Sequence, residues 1–468
     1  MTGRATGAGE ACDVLVIGGG PAGSTAAALL AGQGRDVVLL EKDAHPRFHI
    51  GESLLPRNLA IFDRLGLRDA VHALGELKPG AEMISDATGC RVDFNFVTGI
   101  DRSFTYSYQV RRSEFDALLF SHAARQGARA MQRIRVVQVD GIGAESRGAE
   151  SRGAESRGAE SRGAESRGAE SRGTESRGTE GRGTESRGQV LAQQTDGTML
   201  RFAPRFLLDA SGRDTFLAGR MRLKQADKSN NTAAVYAHFH DVPRRDDAMA
   251  GCISIHLAED GWFWVIPLRD GITSVGFVGT QAAFRRRAGT PAALLQQRIL
   301  ASRTLRPRMA LARLASEVMT AGNYSYRACS AWGEGFMLIG DAFGFVDPVF
   351  SSGVLLAMTG GTLGADVAHA WLDNAAEGRR LARQAEHQLS RGMDRLGWLI
   401  YRINDPVIRR MLMSPNNMFR MRDGVVSLLA GNFDDRISLR LPLLAFKGGY
   451  HLLSLVARLG PRVAGFAN

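Results

Sequence analysis

The stretch DVLVIGGGPAGSTAAALLAGQGRDVVLLEK, residues 13–42, leaves this chain few choices of fold. An apolar strand runs into glycines at positions 18, 20 and 23, an alanine-rich segment follows, and a second apolar strand ends at Glu41. In that setting the G-x-G-x-x-G spacing has a physical meaning. Gly18 permits a tight turn, Gly20 lets the backbone approach a pyrophosphate, and Gly23 lets helix and strand pack closely. The anion then rests on the free N–H groups of a helix N-terminus. Glu41 falls about twenty residues on, where a carboxylate accepts from ribose hydroxyls. The stretch reads as a βαβ unit built to hold a dinucleotide.

The rest of the composition narrows the setting. Of 468 residues, 44% are hydrophobic, enough for a large core. Cys12, Cys90, Cys252 and Cys329 lie far apart with no CxxC pair, so neither a disulfide framework nor a metal site is expected. The N-terminus lacks the charged-then-apolar pattern of a leader. No run of eighteen apolar residues occurs, and the late segment LPLLAFKGGYHLLSLVARLG is interrupted by Lys447, His451 and Arg458. A cytoplasmic location is the default expectation. The net charge is +11, and basic residues outnumber acids roughly twofold after residue 370. Such a face reads first as a solvated basic surface without a partner; an acidic carrier protein could meet it, peripheral contact with an anionic membrane is the weaker reading, and no nucleic-acid motif is present.

The sequence pattern predicts an α/β fold with an inserted antiparallel sheet and a helical C-terminal region. A disordered N-terminus is expected over 1–11 and a dinucleotide-binding domain over 12–374. The inserted substrate-side sheet is expected at about 78–110 and 232–280, and helices fill 375–468. A helix is also expected over 53–65. Residues 143–188 repeat GAESR six times and then GTESR-like units three times. A period of five fits neither helix nor strand, and the tract is nearly free of apolar side chains. Its flanks, IRVVQVD and QVLAQQ, alternate like strands, so the tract reads as a repeat expansion lengthening one hairpin connection, without catalytic function.

Two distant segments favour FAD over NAD. LLDASGRD (207–214) and FMLIGDAFGFVDPVFSSG (336–353) each end an apolar strand in a small-residue turn, and they resemble the later motifs of FAD-dependent hydroxylase-type (GR2) Rossmann-like folds. That resemblance implies that Asp341 accepts from the ribityl chain and that Arg112 lies beside the flavin. The following helix would point its N-terminus at the ring and stabilise negative charge there.

GESLLP (51–56), WFWVIP (262–267) and GDAFGFVDPVFSSG (340–353) narrow the resemblance to the flavin-dependent halogenases. On a strand Trp262 and Trp264 share one face while Phe263 points the other way. The resemblance implies that the two indoles, with Pro267 and Phe350, keep the substrate away from the flavin. Hypohalous acid made at the flavin would then travel to a second chamber, where Lys78 would aim or trap it as the catalytic residue. Ser352 and Gly353 match the halide-binding pair, offering backbone N–H groups at a helix start. FADH2, dioxygen and chloride or bromide are implied. No second nucleotide fingerprint is visible, so a separate flavin reductase would supply the reduced cofactor.

One departure bears on substrate. Tryptophan-halogenating members carry a glutamate two residues before the Ser/Thr-Gly pair, and here that position is Phe350. The expected substrate is therefore an activated ring, a phenol or pyrrole of secondary metabolism, free or tethered to a carrier protein. The alternatives are an FAD-dependent monooxygenase or a prenyl or polyene reductase on the same fold. From another class, a flavin-binding scaffold without activity is a third.

Overall fold

The structure is a computed structural model describing residues 9–142, 188–280, 284, 289–414, 416–433 and 436–463. Glu10–Ile17 and Val37–Glu41 pair in parallel, with Leu15 opposite Val38, and Pro21–Gly32 forms the intervening helix. Proline at the first helical position suits a terminus whose N–H would be unpaired anyway. Met199–Asp209, Phe336–Leu338 and Arg129–Gln132 complete the parallel core of the sheet. Its strands are buried on both faces, as Val14, Leu15, Val16, Val37, Val38 and Leu39 show. The helices Pro21–Gly32 and Gly353–Asp373 pack on each other.

A second sheet stands apart from the first. It gathers Gly80–Ser85, Arg91–Asn95, Lys224–His240, Ile253–Ala258, Gly261–Pro267, Thr273–Thr280 and Met319–Ala328, among others. Pairing is antiparallel except between Gly80–Ser85 and Ile253–Ala258, which run parallel. The sheet thus extends beyond the expected segments, taking in Met319–Ala328, which pairs with Lys224–His240. Glu76–Lys78 and Ser107–Gln109 form a small sheet of their own. The period-two reading of GWFWVIP holds. Trp262 and Trp264 join the main core, whereas Phe263 and Val265 join a second cluster with Val275 and Leu295, the last from the helix Pro291–Ala301.

Several boundaries move. Strand begins at Glu10, inside the tail expected to run to residue 11, because Glu10 lies opposite Phe202 and pairs with Arg129. Residues 1–8 lie outside the described residues. The helix expected from 53 starts at Asn58 instead. Residues 52–54 are extended: Glu52 O accepts from Val110 N, Leu54 N donates to Tyr108 O, and Ser53 bridges Gln109. Ile134–Asp140 and Gln189–Gln194 pair antiparallel with Asp140 opposite Gln189, so the repeat tract connects two paired strands. Its residues 143–187 lie outside the described residues. Past residue 374 come the helices Ala375–Ile400, Pro406–Leu412, Met421–Leu429 and Ile437–Val463.

Candidate active site

The parallel strands end together. Ile17, Glu41, Asp209 and Leu338 lead into turns that line one cavity of about 480 Å³. Ligands on open α/β sheets sit at this end of the strands. Gly18, Gly20, Glu41, Arg112, Asp341 and Gly353, all expected at a binding site, line it together. Gly23 lies behind the lining and acts sterically.

The glycine turn has little room for anything else. Gly18 sits at φ +99°, and a Cβ there would lie 2.3 Å from the Ala210 carbonyl oxygen. A Cβ on Gly23 would meet the Gly18 carbonyl oxygen at 1.9 Å. At Gly20 the nearest atom would be an Arg47 nitrogen at 3.7 Å, so its face toward the cavity is open. Such a cradle fits a pyrophosphate resting on backbone. Glu41 is buried at the next strand's end. Its Oε2 accepts from Gly19 N at 2.7 Å and its Oε1 from Asp43 N at 2.9 Å.

Farther along the cavity, Arg112 is buried in a two-point ion pair with Asp116, at 2.8 and 2.9 Å, and donates to Ile50 O. Asp341 lies in the turn Gly340–Ala342, and burial pushes its carboxyl up to about 6, against the opposing pull of Arg213 and Arg112. The turn before the helix Gly353–Asp373 differs by one residue from expectation. Ser351, at φ +59°, lines the cavity with Gly353, whereas the side chain of Ser352 is buried off the lining. A Cβ on Gly353 would meet nothing within 4 Å, so this helix start is accessible.

Trp262 and Trp264 form the wall opposite, with Ile253 and Ile266. Their ring centroids are 6.0 Å apart and tilted by 50°. Trp264 is fixed on three sides. Its Nε1 donates to Ser274 Oγ at 3.1 Å, Tyr236 packs at 5.7 Å, and its ring lies so close over Gly276 that a Cβ there would sit 2.2 Å from it. Pro267 closes the strand at its pairing with Thr273, and Phe350 is buried; neither lines the cavity.

Lys78 is 1% exposed. Its Nζ donates to Ser53 Oγ and to Leu54 O, both at 2.8 Å, and lies 5.4 Å from the Phe96 ring centroid. Burial pushes the ammonium down to about 7, because removing water penalises the charged form. Ser53 itself lines the cavity, so the amine stands one hydrogen bond behind the wall. Both acceptors come from the extended 52–54 segment that the sequence reading took for helix.

A pair that the motifs did not single out sits beside this segment. Glu52 is buried on the cavity wall and accepts from His238 Nε2 at 2.9 Å. Glu52 lies within GESLLP, but 186 residues separate it from His238 and no local pattern joins them. Arg213, which faces Asp341, was likewise quoted in LLDASGRD without a role.

The FAD binding domain family matches residues 11–159 and the tryptophan halogenase family matches residues 160–400. A flavin-dependent halogenase of Armillaria mellea is 31% identical over 380 residues, covering 75% of this chain and 63% of that protein. A tryptophan 2-halogenase of Chondromyces crocatus is 32% identical over 366 residues, covering 75% and 60%. The chain therefore spans less than two thirds of the length of these relatives. A 1H-pyrrole-2-carbonyl-[peptidyl-carrier protein] chlorinase of Pseudomonas fluorescens is 26% identical, covering 74% and 73%. Among solved structures, a flavoprotein/dehydrogenase of Cytophaga hutchinsonii superposes with a TM-score of 0.79 at 27% identity, covering 97% of this chain and 100% of that one. The myxobacterial chondrochloren halogenase gives 0.69 at 28%, covering 92% of each.

Proposed function

This chain belongs to the flavin-dependent halogenase family, and on that premise we propose that it chlorinates or brominates an electron-rich aromatic, a phenol or a pyrrole, using reduced FAD and dioxygen. The observation that carries the reading is Lys78, a buried amine one hydrogen bond behind the cavity that the two indoles wall. Gly18 and Gly20 would hold the pyrophosphate, with Gly23 letting helix and strand close behind them, Glu41 the adenosine ribose, and Arg112 and Asp341 the ribityl and ring end. When bound, reduced flavin supplies the oxygen-activating chemistry that turns a halide ion into hypohalous acid.

The protein's own part is placement. Halide would rest at the open helix start where Ser351 and Gly353 face the cavity, since the N–H groups of a helix N-terminus favour an anion. Trp262 and Trp264 would act sterically, keeping an aromatic substrate from the oxidant's source while a small acid passes. At Lys78, two N–H bonds are committed to Ser53 Oγ and Leu54 O. In the neutral amine the remaining position is the lone pair, and in the ammonium it is a third N–H. Held near 7, the group presents either form at neutral pH. The lone pair can take the halogen from hypohalous acid, releasing water and leaving a haloamine; the third N–H can hydrogen-bond its oxygen and aim the halogen. In both cases the ring is attacked beside Lys78, and the aromatic proton is lost without the carboxylate that Phe350 replaces. An electron-rich ring supplies that push itself, which supports a phenol or pyrrole over free tryptophan.

The test is incubation with a flavin reductase, NADH, FAD and bromide. The substrates are phenols, pyrroles and carrier-bound pyrrolyl groups, read by mass spectrometry. The expected product shows the bromine isotope doublet, and Lys78→Ala abolishes it while oxygen uptake continues. Hydroxylated product without halide, or full halogenation by Lys78→Ala, would overturn the reading.

A further inference from the structure

The helix Ile437–Val463 carries two apolar faces. Leu439 and Phe446 point inward and are buried, and Tyr450 donates to Asp405 Oδ2 at 3.0 Å on the same inner side. Ile437, Leu441, Leu444, Leu452, Leu455 and Leu459 recur at helical spacing on the outer side, and each is 45 to 73% exposed. Along this stripe the helix runs about 33 Å. From His451 to Leu459 nearly every residue is exposed, so the last turns stand clear of the body. Soluble surfaces seldom leave so continuous an apolar stripe uncovered.

The charges beside it identify what covers it. Arg440 and Arg458 fall along one edge of the stripe, while Lys447 on that edge turns back over the Trp398 ring, 4.9 Å from its centroid, and no Asp or Glu occurs anywhere between Ile437 and Val463. Two copies laid face to face would bring these cations together with no acid on either helix to pair them. Among the described residues no helix is long and apolar enough to cross a membrane. An apolar stripe bordered by cations, on a helix that cannot span, has the design of an element lying in the headgroup plane. The basic edge reaches anionic headgroups while the leucines enter the acyl boundary.

We propose that this helix seats the enzyme on an anionic lipid surface. The test uses the full chain in cosedimentation with vesicles of phosphatidylcholine, alone or mixed with phosphatidylglycerol. Binding to the mixed vesicles should exceed binding to the neutral ones by about tenfold or more at low salt, and should fall as salt is added. Arg458→Gln should weaken it about fivefold. The triple substitution Leu441→Asp, Leu452→Asp, Leu455→Asp should remove it while flavin content is kept. Should the triple variant fold poorly, Arg458→Gln and the salt series still decide the matter. Equal binding to both vesicle types, or no binding, overturns the proposal. So does a parent dimer in sedimentation velocity that the triple variant splits, since a second copy would then cover the stripe.

Discussion

The two ends of the candidate site are built on opposite terms. At the glycine-turn end the cradle is backbone, a turn so close that Gly18 and Gly23 have no room for a Cβ, and Glu41 accepts from two backbone N–H donors. Everything there favours the folded state. At the other end a single amine is buried with two neutral acceptors and no carboxylate among its hydrogen-bond partners, and its charge is suppressed. Under the proposed function, fold and function agree in the first region and oppose each other in the second. Substitutions in the first region should therefore harm both properties, and substitutions in the second should trade one for the other.

The largest effect belongs to the end where they agree. Gly23→Ala puts a methyl 1.9 Å from the Gly18 carbonyl oxygen, with Val16 and Ala210 at 3.1 Å to block escape. Strand and helix must separate, at a cost of about 4 kcal/mol or more. Flavin retention after gel filtration should be lost, together with a large drop in thermal midpoint. A variant that keeps flavin and midpoint would show that the cradle has slack the geometry denies.

Lys78→Met should move the two properties in opposite directions. Unfolded lysine holds its proton to 10.5, whereas the native amine releases it near 7. Between those values the unfolded chain binds more protons, so native stability rises with pH across that window, and the whole penalty is present below 7. Removing the amine should therefore stabilise at pH 7 by about 4 kcal/mol, less about 1 kcal/mol for each lost hydrogen bond. Denaturant midpoints taken from pH 6 to 10 should lose their upward slope, while halogenation falls about a thousandfold or more. Loss of activity with an unchanged slope would mean that the amine titrates as an ordinary lysine.

Trp264→Ala tests the wall between the two ends. The truncation should cost about 3 to 5 kcal/mol, since Ser274, Tyr236 and Gly276 are shaped around the indole. Its sharper readout is product: with the wall breached, hydroxylated ring should accompany the halogenated one. If product stays wholly halogenated at reduced rate, the indoles are core residues that merely line the cavity.

What the sequence revealed follows the same division. Gly18, Gly20, Gly23 and Glu41 are legible because the turn, helix and strand they serve are contiguous, so spacing alone carries the geometry. Trp262 and Trp264 are legible because a strand's period is two. The surroundings of Lys78 were not. Its acceptors lie 24 and 25 residues upstream, in a segment whose Glu-Ser-Leu-Leu composition suits a helix. Bridging to Ser107–Gln109 and Val110 overrides that local preference. Likewise Ser351 rather than Ser352 faces the cavity, because a φ of +59° turns the chain just before the helix and shifts the exposed serine by one. Glu52 and His238 meet only through tertiary structure.

The smallest expected effect concerns the repeat tract. It joins two strands that already pair, Asp140 opposite Gln189, so the hairpin does not need its length. Replacing residues 143–187 by a short turn shortens the connection by between three and four doublings, and each doubling costs about 0.6 kcal/mol in closure entropy. Deletion should therefore leave halogenation unchanged and raise stability by no more than about 2 kcal/mol. The strands it joins pair with each other and, through Gln189–Gln194, with Met199–Asp209, and the cavity-lining residues Ile134, Arg135 and Val136 lie at the start of the first strand, away from the end at Asp140 and Gln189 where the tract is attached. A shortened chain that binds flavin normally yet loses turnover toward a carrier-bound substrate alone would make the tract a docking arm. The molecule would then contain a third functional region, one acting through reach and neither through backbone fit nor through a buried charge.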